Sequence, residues 1–161
     1  SDVCSSDLNS ATAEATQPIF RVLAQYIKDL SFENPNAPQA LRNLTERPQV
    51  EIEANVAARK VADTIYEVEL TIEGSAEAAK SPLYKLELVY GGVVQLERIP
   101  EESHQAVLFV NTPMILFPFA RRLIADITRE SGFAPLMIDP IDFATLYTRN
   151  VKGRPGEKAT A

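Results

Sequence analysis

Tyr26 to Pro38 reads YIKDLSFENPNAP, a strand-like run carrying Asp29 and Glu33 that ends in a proline-flanked turn. Prolines fix φ, so Pro35 and Pro38 predict a rigid stop to the strand. Three later segments alternate with period two, the mark of strands buried on one face. Val50, Ile52, Ala54 and Val56 alternate with Glu51, Glu53 and Asn55; Tyr66, Val68, Leu70 and Ile72 alternate with Glu67, Glu69, Thr71 and Glu73. Tyr84, Leu86, Leu88 and Tyr90 alternate with Lys85, Glu87 and Val89. With Ile19 to Phe32 these make four strands, apolar on one face and acidic on the other, which suits an antiparallel sheet with one solvated side. Connections 57–63 and 74–82 are short enough for hairpins. The connection 33–49 is long and holds three prolines, which predicts a crossover.

From Pro113 the period becomes helical. Leu116, Phe119, Ala120, Leu123, Ile124 and Ile127 form one stripe, with Thr112 as the expected cap, Pro113 as the first helical residue and Gly132 as the stop. Pro118 lies inside and predicts a bend or a broken first turn. A last helix is expected to open with Asp139 as cap and to carry Phe143, Ala144, Tyr147 and Val151 on one side. The fold class is therefore α+β: a four-stranded antiparallel sheet, a long crossover after the first strand, and two main C-terminal helices packed on one face.

A chain of 161 residues with 45% hydrophobic and 24% charged residues is ordinary globular protein. The net charge of −6 argues against nucleic acid as a main partner. Residues 29–103 hold 14 Asp or Glu against 7 Lys or Arg, net −7, whereas residues 104–161 hold 5 against 7, net +2. A basic partner is thus drawn to the first part of the fold. Cys4 is the only cysteine, which leaves no internal disulfide or thiolate metal cluster and fits a reducing compartment. The apolar run Ala106 to Ala120 is interrupted by Asn111, Thr112, Pro113 and Pro118 and falls short of the ~20 residues that span a bilayer. Residues 1–17 read as a disordered tail, of which 1–10 show no signal-peptide pattern and resemble a non-native leader. Residues 18–151 read as one domain and 152–161 as a mobile tail.

Catalytic chemistry finds no support. His104 is the only histidine, so neither a histidine metal site nor a Ser-His-Asp arrangement can be built within one chain. GRPGEK at 153–158 lacks the spacing of a phosphate loop, and Gly91-Gly92 marks a bulge or close backbone approach inside a strand rather than a dinucleotide loop. The pairs Glu51/Glu53 and Glu67/Glu69 are expected on an open face, where little would raise a pKa. No cofactor is implied.

Four ordered motifs, KDLSFENPNAP at 28–38, Gly91-Gly92, NTPMILFPFARR at 111–122 and PIDFATLY at 140–147, resemble the SecB protein-export chaperones over about Phe20 to Asn150. That resemblance implies an ATP-independent cytoplasmic chaperone that binds unfolded precursor proteins and delivers them to the SecA ATPase. It carries the SecA-docking carboxylates onto Asp29, Glu33 and Glu87. Lys85 stands beside them where the family commonly has an apolar docking residue. The expected SecA contact is its zinc-binding tail, so any zinc belongs to the partner. Client grooves are implied where the crossover meets the sheet and the last helix. They draw on Leu44, Tyr84, Phe143 and Tyr147, from a set that also includes Phe32, Pro35, Leu41 and Phe119. Family members are homotetramers, dimers of dimers. Here Met114, Ile115 and Phe117 lie off the helix stripe, and Leu86, Leu88 and Tyr90 are the expected interface residues. No nucleic acid and no membrane insertion are implied. The competing reading is a small acidic adaptor that recruits a basic partner without holding unfolded clients.

Overall fold

The computed structural model describes residues 17–42 and 46–152. Four strands, β1 (Ile19–Glu33), β2 (Gln49–Ala62), β3 (Ile65–Ala78) and β4 (Ser81–Glu97), form one antiparallel sheet in the order β1-β4-β3-β2. β1 and β2 are opposite edges of the sheet, so the chain between them must cross from one side to the other. Part of that connection is a single helical turn, α1 (Gln39–Arg42). Its start is anchored twice: Asn34 Nδ2 donates to Ser131 O at 3.3 Å, and Asn36 Nδ2 donates to Pro82 O at 2.8 Å. Leu44 lies outside the described residues, as do most of the two tails expected at the ends of the chain.

The strands extend into what periodicity suggests are connections. β2 and β3 are joined by Asp63-Thr64, and β3 and β4 by Ala79-Lys80. Thr64, Ala79 and Lys80 have φ of 62°, 50° and 64°, the left-handed values that tight hairpins need. Asn and Gly usually mark such turns, and neither occupies these positions.

The long helix α2 spans Glu101–Glu130. It is α-helical over Glu101–Ala106, π-helical over Val107–Asn111 and α-helical over Thr112–Glu130. Thr112 therefore does not cap a helix start. It is fully buried inside the helix, where its hydroxyl donates to Val107 O at 2.7 Å. The widened turn stands immediately before Pro113, whose ring and missing N–H would otherwise meet the preceding turn. Pro118 likewise sits within an unbroken helix. With both prolines absorbed, α2 is long and apolar enough by length and composition to cross a bilayer. Here Leu116, Phe117, Ala120, Ile124 and Thr128 of α2 are buried in the fold. Phe117 thus belongs to the core, against Phe143 at 6.1 Å between ring centroids. At the C-terminal end, Gly132 takes a φ of 93° and stops the helix as expected.

The final helix, α3 (Phe143–Lys152), starts later than Asp139 implies. Asp142 caps it: Thr145 N donates to Asp142 Oδ1 at 3.1 Å and Thr145 Oγ1 to Asp142 Oδ2 at 2.7 Å. Phe143 and Leu146 are its buried residues, while Ala144 and Val151 are exposed.

Candidate functional site

Alternation assigns every strand residue to one of two faces. The inner face, under α2 and α3, carries Ile52, Val68, Leu70, Ile72, Tyr84, Leu86, Leu88, Tyr90 and Val94, all buried. Leu86 and Leu88 are 1% and 0% exposed, core of their own chain, while Tyr90, 8% exposed, reaches a shallow groove at the β1 edge beside the exposed Ile27 and Phe119. Their period-two pattern marks burial, and α2 supplies it. Exposed apolar residues cluster on β1, with Phe20, Leu23, Ile27 and Leu30, and on α2, with Met114, Ile115 and Phe119, while Val61, Met137 and Val151 are scattered singly.

The outer face gathers the expected docking residues. Glu33 is the register partner of Lys85, Ser31 of Glu87, and Asp29 of Val89. Glu87 therefore lies diagonally between Asp29 and Glu33 on two hydrogen-bonded strands. It is also the partner of Glu73, which is in turn the partner of Glu53. Three glutamates thus stand side by side across β4, β3 and β2, an arrangement that costs stability and concentrates negative potential.

One carboxylate of this face departs from expectation. Glu67 is only 6% exposed, because Tyr26 and Lys28 reach it from β1 and Arg59 from β2. Tyr26 donates its phenol to Glu67, Lys28 Nζ lies 3.1 Å from it and Arg59 Nε 2.8 Å. These donors, Tyr26 foremost, outweigh burial and hold the Glu67 carboxyl down at about 2. Burial, followed by the bond to Glu67, pushes the Tyr26 phenol up to about 12. The group is therefore a structural carboxylate and no candidate acid.

Gly91 and Gly92 both mark close approaches. A Cβ on Gly91 would come within 2.5 Å of the Tyr26 ring on the outer face, and one on Gly92 within 2.8 Å of Leu116 on the inner face.

The groove residues do not converge on one wall. Tyr84 is 5% exposed, between Phe32 at 5.5 Å and Phe133 at 5.0 Å. Phe143 is 2% exposed. Tyr147 lines an open cleft beside α3, stacked on Phe109 at 5.5 Å, while Phe119 lines a separate shallow one at the β1 edge with Ile27 and Tyr90. The cleft beside α3, about 490 Å³, has Ala54, Val56 and Leu146 beside Tyr147 and Phe109, with Glu53 and Glu73 at its polar side. A second cleft of about 320 Å³ flanks the other side of Leu146 and includes Ile52, Ile138 and Ile141. Phe109, Leu146, Ile138 and Ile141 were not singled out from sequence. Ile141 and Leu146 fall within the PIDFATLY motif and Phe109 within the apolar run 106–120, whereas no pattern marks Ile138.

The family model of "Preprotein translocase subunit SecB" matches residues 13–154. A Protein-export protein SecB of Bradyrhizobium sp. strain BTAi1 is 51% identical over 89% of this chain and 90% of its own length. That of Azorhizobium caulinodans is 46% identical over 95% of this chain and 96% of its own. Among solved structures, a Mycobacterium tuberculosis SecB-like chaperone in complex with a peptide from the HigA1 antitoxin shares the fold, with a TM-score of 0.63 at 13% identity over 81% of this chain and 94% of that one. A four-stranded antiparallel sheet backed by one long helix, carrying these motifs at these positions, belongs to the SecB family of protein-export chaperones.

Proposed function

We propose that the chain is an ATP-independent, cytoplasmic holdase that keeps unfolded precursors competent for export and passes them to SecA as a homotetramer. The observation that carries this reading is the pairing of two surfaces on one sheet. Asp29, Glu33 and Glu87 share the outer face at the β1–β4 end, the clefts lie beside α3 at the β2 end, and Glu73, the partner of Glu87, lines the first cleft where the two adjoin. A client seated against Tyr147 and Val151 reaches Glu73 and leaves Asp29 and Glu33 on β1 accessible, so holding and delivery can occur together. The mycobacterial SecB-like chaperone is bound to a peptide, which supports polypeptide binding by this fold. Tyr84 and Phe143 support these surfaces from the core, Tyr84 against Phe32 and Phe133 and Phe143 against Phe117, and Leu44 is a residue of the crossover itself. An acidic adaptor would have no use for two apolar clefts, and the family disfavours it.

The contact is apolar and tolerant of sequence, because it rewards area removed from water, roughly 25 cal/mol per Å². The experiment is suppression of aggregation of an unfolded client at stoichiometric amounts, run beside SecA binding by calorimetry. Tyr147→Ser with Val151→Ser, both on the open cleft, should weaken holding and spare SecA. Full holding by that variant would move the groove elsewhere.

A further inference from the structure

β1 is twice irregular. Its register against β4 shifts between Val22 and Ala24 and again between Ile27 and Asp29, leaving Leu23 and Lys28 without partners. Each such bulge inverts the face of every residue that follows. After the first, Tyr26 lies on the outer face opposite Gly91; after the second, Asp29, Ser31 and Glu33 return to the outer face opposite Val89, Glu87 and Lys85. With no bulge at Lys28, Leu30 would oppose Glu87, and Asp29 and Glu33 would point beneath the sheet.

The residues that surround this bulge are tied down. Lys28, the unpaired residue, binds both Glu67 and Glu69 of β3. Tyr26 crosses β4 over Gly91 to reach the same Glu67, which Arg59 of β2 also holds. The resulting strap runs through all four strands on the face opposite the apolar core. We propose that Tyr26 and Lys28 are positioning residues: by clamping Glu67 across Gly91 they hold the bulge at Lys28 and so set the face on which Asp29 and Glu33 appear. The register part stands alone; its consequence for docking rests on the function proposed above.

Disulfide trapping reads the register directly. In a Cys4→Ser background, Ser31→Cys with Glu87→Cys reports the observed pairing, and Leu30→Cys with Glu87→Cys reports the slipped one. In the otherwise unchanged chain the 31–87 pair should oxidise and the 30–87 pair should not. Adding Tyr26→Leu and Lys28→Met should reverse that preference within the folded, correctly sized fraction. Tyr26→Phe, which keeps the ring over Gly91 and loses only the phenol, should give an intermediate partition and guards against misfolding of the double variant. Unchanged trapping in both would overturn the proposal. SecA affinity is measured on Tyr26→Leu, Lys28→Met without added cysteines. A loss there supports the consequence for docking, while full affinity despite a reversed register would overturn the docking assignment and leave the strap standing.

Discussion

Glu33 and Lys85 are direct cross-strand partners on the outer face, with Glu87 two residues from Lys85 on the same strand. A cation thus sits among the carboxylates assigned to SecA. Opposite charges directly across a sheet contribute on the order of 0.2–1 kcal/mol, so Lys85 stabilises the sheet slightly and weakens the local negative potential. Lys85→Leu should tighten SecA binding and leave folding within about 1 kcal/mol of the parent. Calorimetric titrations at two salt concentrations test it; unchanged or weaker binding at low salt would count against the docking face.

The same logic applies in reverse to Glu73, which faces Glu87 on one side and Glu53 on the other. Glu73→Gln should stabilise the fold by a few tenths of a kcal/mol, since directly opposed like charges destabilise a sheet. It should also soften the field around Glu87 and slow SecA association. A urea midpoint that falls instead of rising would show that the row of glutamates is relaxed by solvent.

The Tyr26–Glu67 pair makes stability pH-dependent at both extremes. Glu67 titrates lower in the fold, about 2 against 4.5, so its contribution is complete above 4.5 and drains away as pH falls toward 2. Tyr26 titrates higher, about 12 against 10, so its contribution is complete below 10 and drains away as pH rises toward 12. Urea midpoints of Glu67→Gln and Tyr26→Phe should each lie below the parent by a constant amount between about pH 5 and about pH 9. The Glu67→Gln deficit should narrow in acid and the Tyr26→Phe deficit in alkali. Deficits that stay constant throughout would mean that neither group titrates as a strap.

Much of this was legible because burial on one face writes a period into the sequence. The inner residues of β2, β3 and β4 follow it throughout, and the motif positions of Asp29, Glu33 and Glu87 fall together once the strands are paired. The β1 bulges were hidden, since an unpaired Lys28 looks like any exposed lysine until β4 provides the register. The burial of Glu67 depends on Tyr26 arriving from another strand, which no local pattern shows. The start of α2 at Glu101 was masked by Pro113, because a proline reads as a helix boundary unless a π turn accommodates it. Leu86 and Leu88 are covered by their own chain, which their pattern left open for a related reason: an apolar face announces that something covers it, and does not say whether the cover is the same chain.

The hairpin turn Ala79-Lys80 carries two left-handed residues with side chains, φ 50° and 64°. Left-handed backbone costs an L-residue roughly 1–2 kcal/mol, and Asn and Gly bear it best. Ala79→Asn with Lys80→Gly should therefore raise stability by about 1 kcal/mol without altering the register of β3 and β4. Thermal unfolding measures the gain, and no gain would indicate that the Ala79-Lys80 geometry is relaxed in solution.

Assembly follows from where apolar surface remains. β1 is an edge strand, with the exposed Phe20, Leu23, Ile27 and Leu30 along it, and an unpaired edge of this length invites a second copy. Met114, Ile115 and Phe119 form a separate exposed set on α2, with Met114 59% exposed. Two distinct apolar surfaces, one for each kind of two-fold contact, are what a dimer of dimers requires. Leu23→Lys should disrupt the contact through the β1 edge and Met114→Lys the contact through α2. Each alone should yield dimers, and together they should yield monomers that keep the sheet. Native mass spectrometry at micromolar concentration separates these outcomes. A parent that runs as a monomer would refute the homotetramer, and a tetramer that survives both substitutions would place its contacts elsewhere on the chain.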